Sequence, residues 1–287
     1  MNLCTFLDQF KFFLNQTMAE LIQEGHLPPH VHRSLGIERE FFLVDGNGCP
    51  VPHAVAFLKS MPSAIDYQGW FEQGLMGMGF ILEEPWTYEL SACQVEHRTQ
   101  PCETIDELRA VLIESTREGH AIADHIGLRL RALEVAPADM PLDVYPDDKR
   151  YAHLAETLPR ETLRAACRVA GTHIHRECGD IEEAIRVHNA LTRSLEEFMR
   201  IGDHSHGERL RLYREMAPRW RPPLYESPEH FHAVAHEQGF EDNPRNCWHL
   251  IRISRHGTVE VRAFGVTDDI EEIISWAKRV QEIANSA

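Results

Sequence analysis

Three short segments of this 287-residue chain set acids, imidazoles and a guanidinium two residues apart among apolar neighbours, and a fourth adds two further acids. Glu38 and Glu40 lie in Gly-Ile-Glu-Arg-Glu-Phe-Phe-Leu, His173 and His175 in Val-Ala-Gly-Thr-His-Ile-His, and Glu260 and Arg262 in Gly-Thr-Val-Glu-Val-Arg-Ala-Phe. The fourth, Tyr-Glu-Leu-Ser-Ala-Cys-Gln-Val-Glu-His-Arg-Thr, adds Glu89 and Glu96. On a strand, side chains two apart share a face, so each of the first three pairs points one way. The separation of Glu89 from Glu96 is odd, and for both to serve one site a bulge or break must lie between them.

A sheet face lined by several carboxylates and imidazoles needs cations to neutralise it, because buried like charges otherwise repel or take up protons. Oxygen ligands with one or two imidazoles favour Mg²⁺ or Mn²⁺ over Zn²⁺. Metals that keep water ligands commonly hold nucleotide phosphates, and Arg252, Arg255 and Arg262 near the last hairpin would complement such a ligand. Each pair taken alone is weak. A single Glu-x-Glu is more often the solvated face of an antiparallel sheet, and His-x-His occurs four times, at 30/32, 173/175, 204/206 and 230/232. Only His173/His175 sits on an apolar strand after a glycine. The coincidence of several pairs on several strands is what points to a site.

The elements that must carry these residues can be read from periodicity. Helical spacing covers about 3–24, 105–125 (capped by Thr104), 148–157, 160–166, a helix capped by Asp180, 204–216, and a final helix from Asp269 to about 286. Strands are expected at about 35–44, 79–83, 86–98, 128–135, 167–176, 248–254 and 257–264, the last two joined by a turn at His256-Gly257. Strands and helices do not alternate one for one, so the fold class is α+β, a mostly antiparallel sheet with helices packed on one side. We read residues 1–287 as a single catalytic domain.

The formal net charge of −16 argues against a nucleic-acid partner and an anionic membrane surface. The apolar stretch Phe6 to Leu14 is too short to cross a bilayer and carries Asp8 and Lys11, so neither a signal peptide nor a membrane span is expected. Seven scattered cysteines with no Cys-x-x-Cys pair suit free thiols in a reducing cytoplasm. Cys93, Cys167 and Cys247 fall in expected strands as packing groups. Gly69 to Gly79 has the composition of an active-site lid but lacks the lysine and spacing of a phosphate-binding loop.

At these residues the sequence resembles the glutamate-cysteine ligase type 2 family of carboxylate-amine ligases, which shares the glutamine-synthetase catalytic fold. The matching pieces are Gly36 to Phe41, Gln94 to Thr99 with Pro101, Gly171 to His175 and Gly257 to Phe264, with a weaker segment at Asp148 to Tyr151. They occur in the family's order across about residues 36–268. The resemblance implies a curved antiparallel sheet that binds ATP and Mg²⁺ or Mn²⁺. By analogy Glu40, Glu89 and Glu96 would hold one ion, and Glu38, His173 and Glu260 a second. His175 would lie near the nucleotide, Arg262 near the transferring phosphate, and Arg98 near the substrate carboxylate. The implied reaction phosphorylates a carboxylate, often the γ-carboxylate of glutamate, and an amine then attacks the acyl phosphate.

Three departures stand out. The chain is shorter than is usual for the family, which points to a trimmed acceptor-binding loop or subdomain. Arg176-Glu177 replaces small residues, and Gly265 replaces a common acidic one. The rival readings are a phosphotransferase on the same fold, a nucleotide-binding protein with a vestigial site, and a zinc hydrolase built on His173/His175. Expected partners are a small amino acid and an amine, and a homodimer is compatible with exposed edge strands or an exposed N-terminal helix.

Overall fold

The computed structural model describes residues 33–61 and 85–287. The expected N-terminal helix, the strand at 79–83 and the Gly69–Gly79 segment lie outside the described residues. Among the described residues seven strands form one antiparallel sheet: β1 (Leu35–Val44), β2 (Trp86–Tyr88), β3 (Gln94–Arg98), β4 (Arg129–Arg131), β5 (Thr172–Glu177), β6 (Ile251–Ile253) and β7 (Thr258–Phe264). Their order is β2-β3-β1-β5-β7-β6, with β4 pairing the far end of β1. The described helices are α1 (Ala54–Lys59), α2 (Ile105–His125), α3 (Lys149–Thr157), α4 (Arg160–Arg168), α5 (Ile181–Arg193), α6 (Leu195–Ile201), α7 (Glu208–Met216), α8 (Pro228–Gln238) and α9 (Ile270–Asn285).

The sheet has two chemically different faces because β1 alternates. Leu35 and Ile37 point to one side, where they join Ile174, Val259, Val261, Ile251 and Ile253 under α2, α5, α6 and α9. Burying each such side chain contributes roughly 1.5–3 kcal/mol. Glu38 and Glu40 point to the other side. From Phe41 onward both faces of β1 are buried, because Phe41, Phe42, Leu43 and Val44 enter a second core with Phe57, Trp86, Val95 and Leu130. The carboxylates therefore lie where the central strand leaves its amphipathic half.

Local signals place the helices. Thr104 Oγ1 accepts from Glu107 N (3.1 Å) at the start of α2, and Asp180 Oδ1 from Glu183 N (2.7 Å) at the start of α5. Several expected boundaries are corrected. The single strand expected at 86–98 is two antiparallel strands joined through residues 89–93. The strand expected at 128–135 shortens to β4. The strand expected from 167 begins at 172, because α4 runs on to Arg168. The helix expected from 204 starts at 208 after a tight turn in which Asp203 accepts from Ser205 and Gly207. The long helix after Asp180 divides at Ser194, and α1 was not anticipated. The β6–β7 turn falls where expected, with Gly257 at a φ of 72° that favours glycine. Cys93, Cys167 and Cys247 are buried as anticipated but lie outside strands. Among the described residues no helix is long and apolar enough to cross a membrane.

Candidate functional site

Register brings the four segments together. Across the central ladder Glu38 stands between Arg98 on β3 and His173 on β5, and Glu40 is opposite Glu96. Farther along, Glu260 on β7 stands between His175 on β5 and Arg252 on β6. The ladder of β5 and β7 shifts by one residue between Thr172 and Ile174. Arg262 and Ala263 consequently oppose His173 alone.

The side chains converge on His173. Its Nδ1 is 3.0 Å from Glu38 Oε2 and 3.8 Å from Glu260 Oε1, and its Nε2 is 3.5 Å from Glu40 Oε1. Two groups present ligand atoms that lie within 4.8 Å of one another: Glu38, His173 and Glu260, and Glu40, Glu96 and His173. These donors, mostly carboxylate oxygen with one imidazole, fit Mg²⁺ or Mn²⁺. Burial, with Arg262 nearby, lowers His173 to about 4. It is thus neutral at pH 7, as a metal ligand must be, with one nitrogen lone pair free to serve one group at a time.

Glu89 stands just beyond β2, where the chain breaks before β3, as its odd separation from Glu96 required. Its carboxyl lies close enough to that of Glu96 to raise it, and it accepts from Leu90 N at 3.1 Å. Glu89 therefore lies beside the group of Glu40, Glu96 and His173. Burial, together with the charges of Glu38 and Glu89, pushes Glu96 well above the usual carboxylate range. Burial and the charge of Glu89 raise Glu40 to about 8 even though Arg262, Arg209 and the Gly171 amide oppose them. Glu40 Oε2 accepts from Gly171 N at 2.7 Å.

Arginines occupy the opposite flank. Arg252 grips Glu260 through Nε (2.6 Å) and Nη2 (3.1 Å), and Arg262 Nη1 adds a third bond at 2.6 Å. Although burial would raise it, Glu260 is held well below the usual range by these two cations. Burial acts the same way on Glu38, and His175 and His173 outweigh it, keeping Glu38 ionised. His175 is pulled down by burial, but Glu38 and Glu260 raise it above its ordinary value. Its Nδ1 meets Thr258 Oγ1 at 2.8 Å. Arg98 lies at the rim with Nε 3.9 Å from Glu96 Oε1. Arg255 is exposed in the β6–β7 turn, where its Nε donates to the His256 ring.

A family model for glutamate-cysteine ligase family 2 matches residues 34–196, more than half of the chain. The chain belongs to glutamate-cysteine ligase family 2. Among curated relatives, it is 25% identical over 263 residues to a Mycolicibacterium vanbaalenii protein named "Putative glutamate--cysteine ligase 2-2", covering 86% of this chain and 67% of that one. A like-named Herpetosiphon aurantiacus protein is 26% identical over 275 residues, covering 90% of this chain and 66% of its own. The chain thus spans about two thirds of the length of these relatives. A solved bifunctional glutathione synthetase from Pasteurella multocida shares the fold, with a TM-score of 0.50 at 13% identity over 99% of this chain and 41% of that one.

Both local departures from the family pattern have a physical account. A Cβ at Gly265 would sit 1.9 Å from Glu134 Oε1, so a carboxylate from another segment already fills that space. That oxygen accepts from His204 N (2.9 Å), and its ring faces it at 3.1 Å. Glu177 Oε2 accepts from Ser34 N and Oγ, and Arg176 Nη2 donates to Asn285, so both tie down strand ends. Sequence reading missed Thr258, Glu134 and Arg209. Thr258 was accessible through the same two-residue spacing as Glu260 and Arg262. Glu134 and Arg209 lie in separate segments and carry no local signal.

Proposed function

We propose that this chain is an ATP-dependent carboxylate-amine ligase that uses Mg²⁺ or Mn²⁺. The observation that carries the reading is the pair of carboxylate–imidazole groups sharing His173, flanked by Arg252 and Arg262. Glu38, His173 and Glu260 would hold one ion; Glu40 and Glu96, with Glu89 beside them, would hold the other. Bound metal would neutralise triphosphate charge and stabilise phosphoryl oxygens during transfer.

The residues of the chain supply the rest. Arg262, buried and charged beside Glu260, is placed to meet the transferring phosphate, and Arg252 holds Glu260 in line. His175, fixed by Thr258, borders the nucleotide. Arg98 at the rim receives the substrate carboxylate, for which glutamate, named by the relatives, is the first candidate and its γ-carboxylate the reacting group. Phosphorylation of that carboxylate turns its oxygen into a leaving group; an amine then attacks the carbon, yielding amide, ADP and phosphate. Arginines aimed at developing phosphoryl charge are effective because they need no reorganisation.

The test is incubation with ATP, Mg²⁺, glutamate and a panel of amines. ADP should appear with amide only when the correct acceptor is present, and Glu260→Gln should abolish both. A phosphorylated product without amide would favour phosphotransfer. Tight ATP binding with no ADP under any acceptor would favour a regulatory nucleotide-binding role.

A further inference from the structure

Arg209, the second residue of α7, is only 3% exposed, so water does not satisfy its guanidinium. Its guanidinium instead donates to three main-chain carbonyls: Ala170 O (2.7 Å), Ala263 O (3.3 Å) and Arg262 O (3.1 Å). Arg262 and Ala263 are the two β7 residues that face the single residue His173 where the β5–β7 ladder shifts register. A bulge of this kind interrupts the ladder and leaves main-chain groups to be satisfied elsewhere. Arg209 supplies the donors.

The other anchor is Gly171. A Cβ there would lie 2.3 Å from Arg209 Nη2 and 3.0 Å from Phe264 O, so the guanidinium occupies space only glycine leaves. Gly171 is in turn bonded twice to Glu40: its amide donates to Glu40 Oε2 (2.7 Å), and its carbonyl accepts from Glu40 N (3.1 Å). One buried side chain therefore connects the start of β5, which holds Glu40 and carries His173, to the end of β7, which carries Arg262.

We propose that Arg209 is a positioning residue of the site: its guanidinium clamps the β5–β7 bulge so that Glu40, His173 and Arg262 face a common centre. The proposal rests on reading that centre as the metal and phosphate site. Lysine cannot replace it, because one ammonium on a flexible stem does not reproduce a planar fork that reaches three carbonyls.

The test compares wild type with Arg209→Lys and Gly171→Ala in the full chain, using Mn²⁺ titration and hydrogen exchange over residues 169–173. Circular dichroism checks folding. Folded Arg209→Lys should bind Mn²⁺ at least about tenfold more weakly and exchange faster at 169–173, with Gly171→Ala behaving the same way. In Arg209→Ala, added guanidinium ion should restore much of the Mn²⁺ affinity, which a merely stabilising role would not produce. Should Arg209→Lys fail to fold, Gly171→Ala decides by the same two readouts. Mn²⁺ affinity within twofold of wild type, or unchanged exchange, overturns the clamp. If wild type itself binds no Mn²⁺, the functional reading falls and exchange alone judges the clamp.

Discussion

The two flanks of the site treat buried carboxylates in opposite ways. On β7 and β6, Glu260 is wholly buried yet held ionised by Arg252 and Arg262. On β1 and β3, Glu40 is half-buried and Glu96 buried; Glu89 crowds both and Glu38 crowds Glu96, and both are pushed toward the protonated form. A buried charge is tolerated only when paired. The arginine flank carries its own counter-charge, whereas the acidic flank keeps protons that a cation of the proposed kind would replace. The contrast indicates how a chain of net charge −16 can hold a triphosphate: metal would enter at the carboxylates, and the arginines would meet phosphate oxygens directly.

The sharpest way to break this contrast is to remove the paired acid. Glu260→Gln leaves two half-buried guanidinium groups without their buried counter-ion and should cost about 3 kcal/mol of stability in denaturant titration, besides abolishing turnover.

Next is the response to pH, which should separate the flanks by sign. Between its ordinary 4.5 and about 8, folded Glu40 keeps a proton that the unfolded chain has released, so its contribution makes the metal-free protein less stable as pH rises. Glu96 acts in the same sense. Glu260 and Glu38, held below their ordinary value, contribute stability above about pH 4.5 that is lost on acidification. Below about pH 6.5 the buried histidines His97, His173, His188 and His249, held below their ordinary value, act in the opposite sense, so the melting temperature should fall only from about pH 7 to about pH 8 without metal, and saturating Mn²⁺ should flatten that slope. A slope unaffected by Mn²⁺ would mean that no ion takes the proton's place.

A smaller effect of mixed sign is expected from Glu96→Gln. Relieving like-charge crowding should stabilise the metal-free protein by roughly 1 kcal/mol while weakening Mn²⁺ binding at least several-fold, measured by thermal melts and calorimetry. Weakest should be Arg255→Ala, with an unchanged melting temperature and only a modest rise in the KM for ATP, because the side chain is exposed in the β6–β7 turn.

Much of this arrangement is legible without coordinates, because strand periodicity is local. The two-residue spacing of Glu38/Glu40, His173/His175 and Glu260/Arg262 placed each pair on one face, and the odd step from Glu89 to Glu96 allowed a shared site only with a break between them, and the chain leaves strand geometry at residues 89–93. The boundary misses have a common cause. Short strands such as β4 and β6 are delimited by available partners rather than by propensity, so their ends cannot be read from their own residues.

The chain's order of residue types determined which groups could form a site and that they would need cations, since alternation and charge are properties of neighbours in sequence. Tertiary structure alone decided their mutual register: His173 between two acidic groups, Glu260 between two arginines, Glu134 filling the space beside Gly265, and Arg209 spanning a bulge more than 30 residues from any carbonyl it holds. The physical reason is that a hydrogen-bond ladder shifted by one residue turns side chains to the opposite face, and that shift is set by contacts distant in sequence.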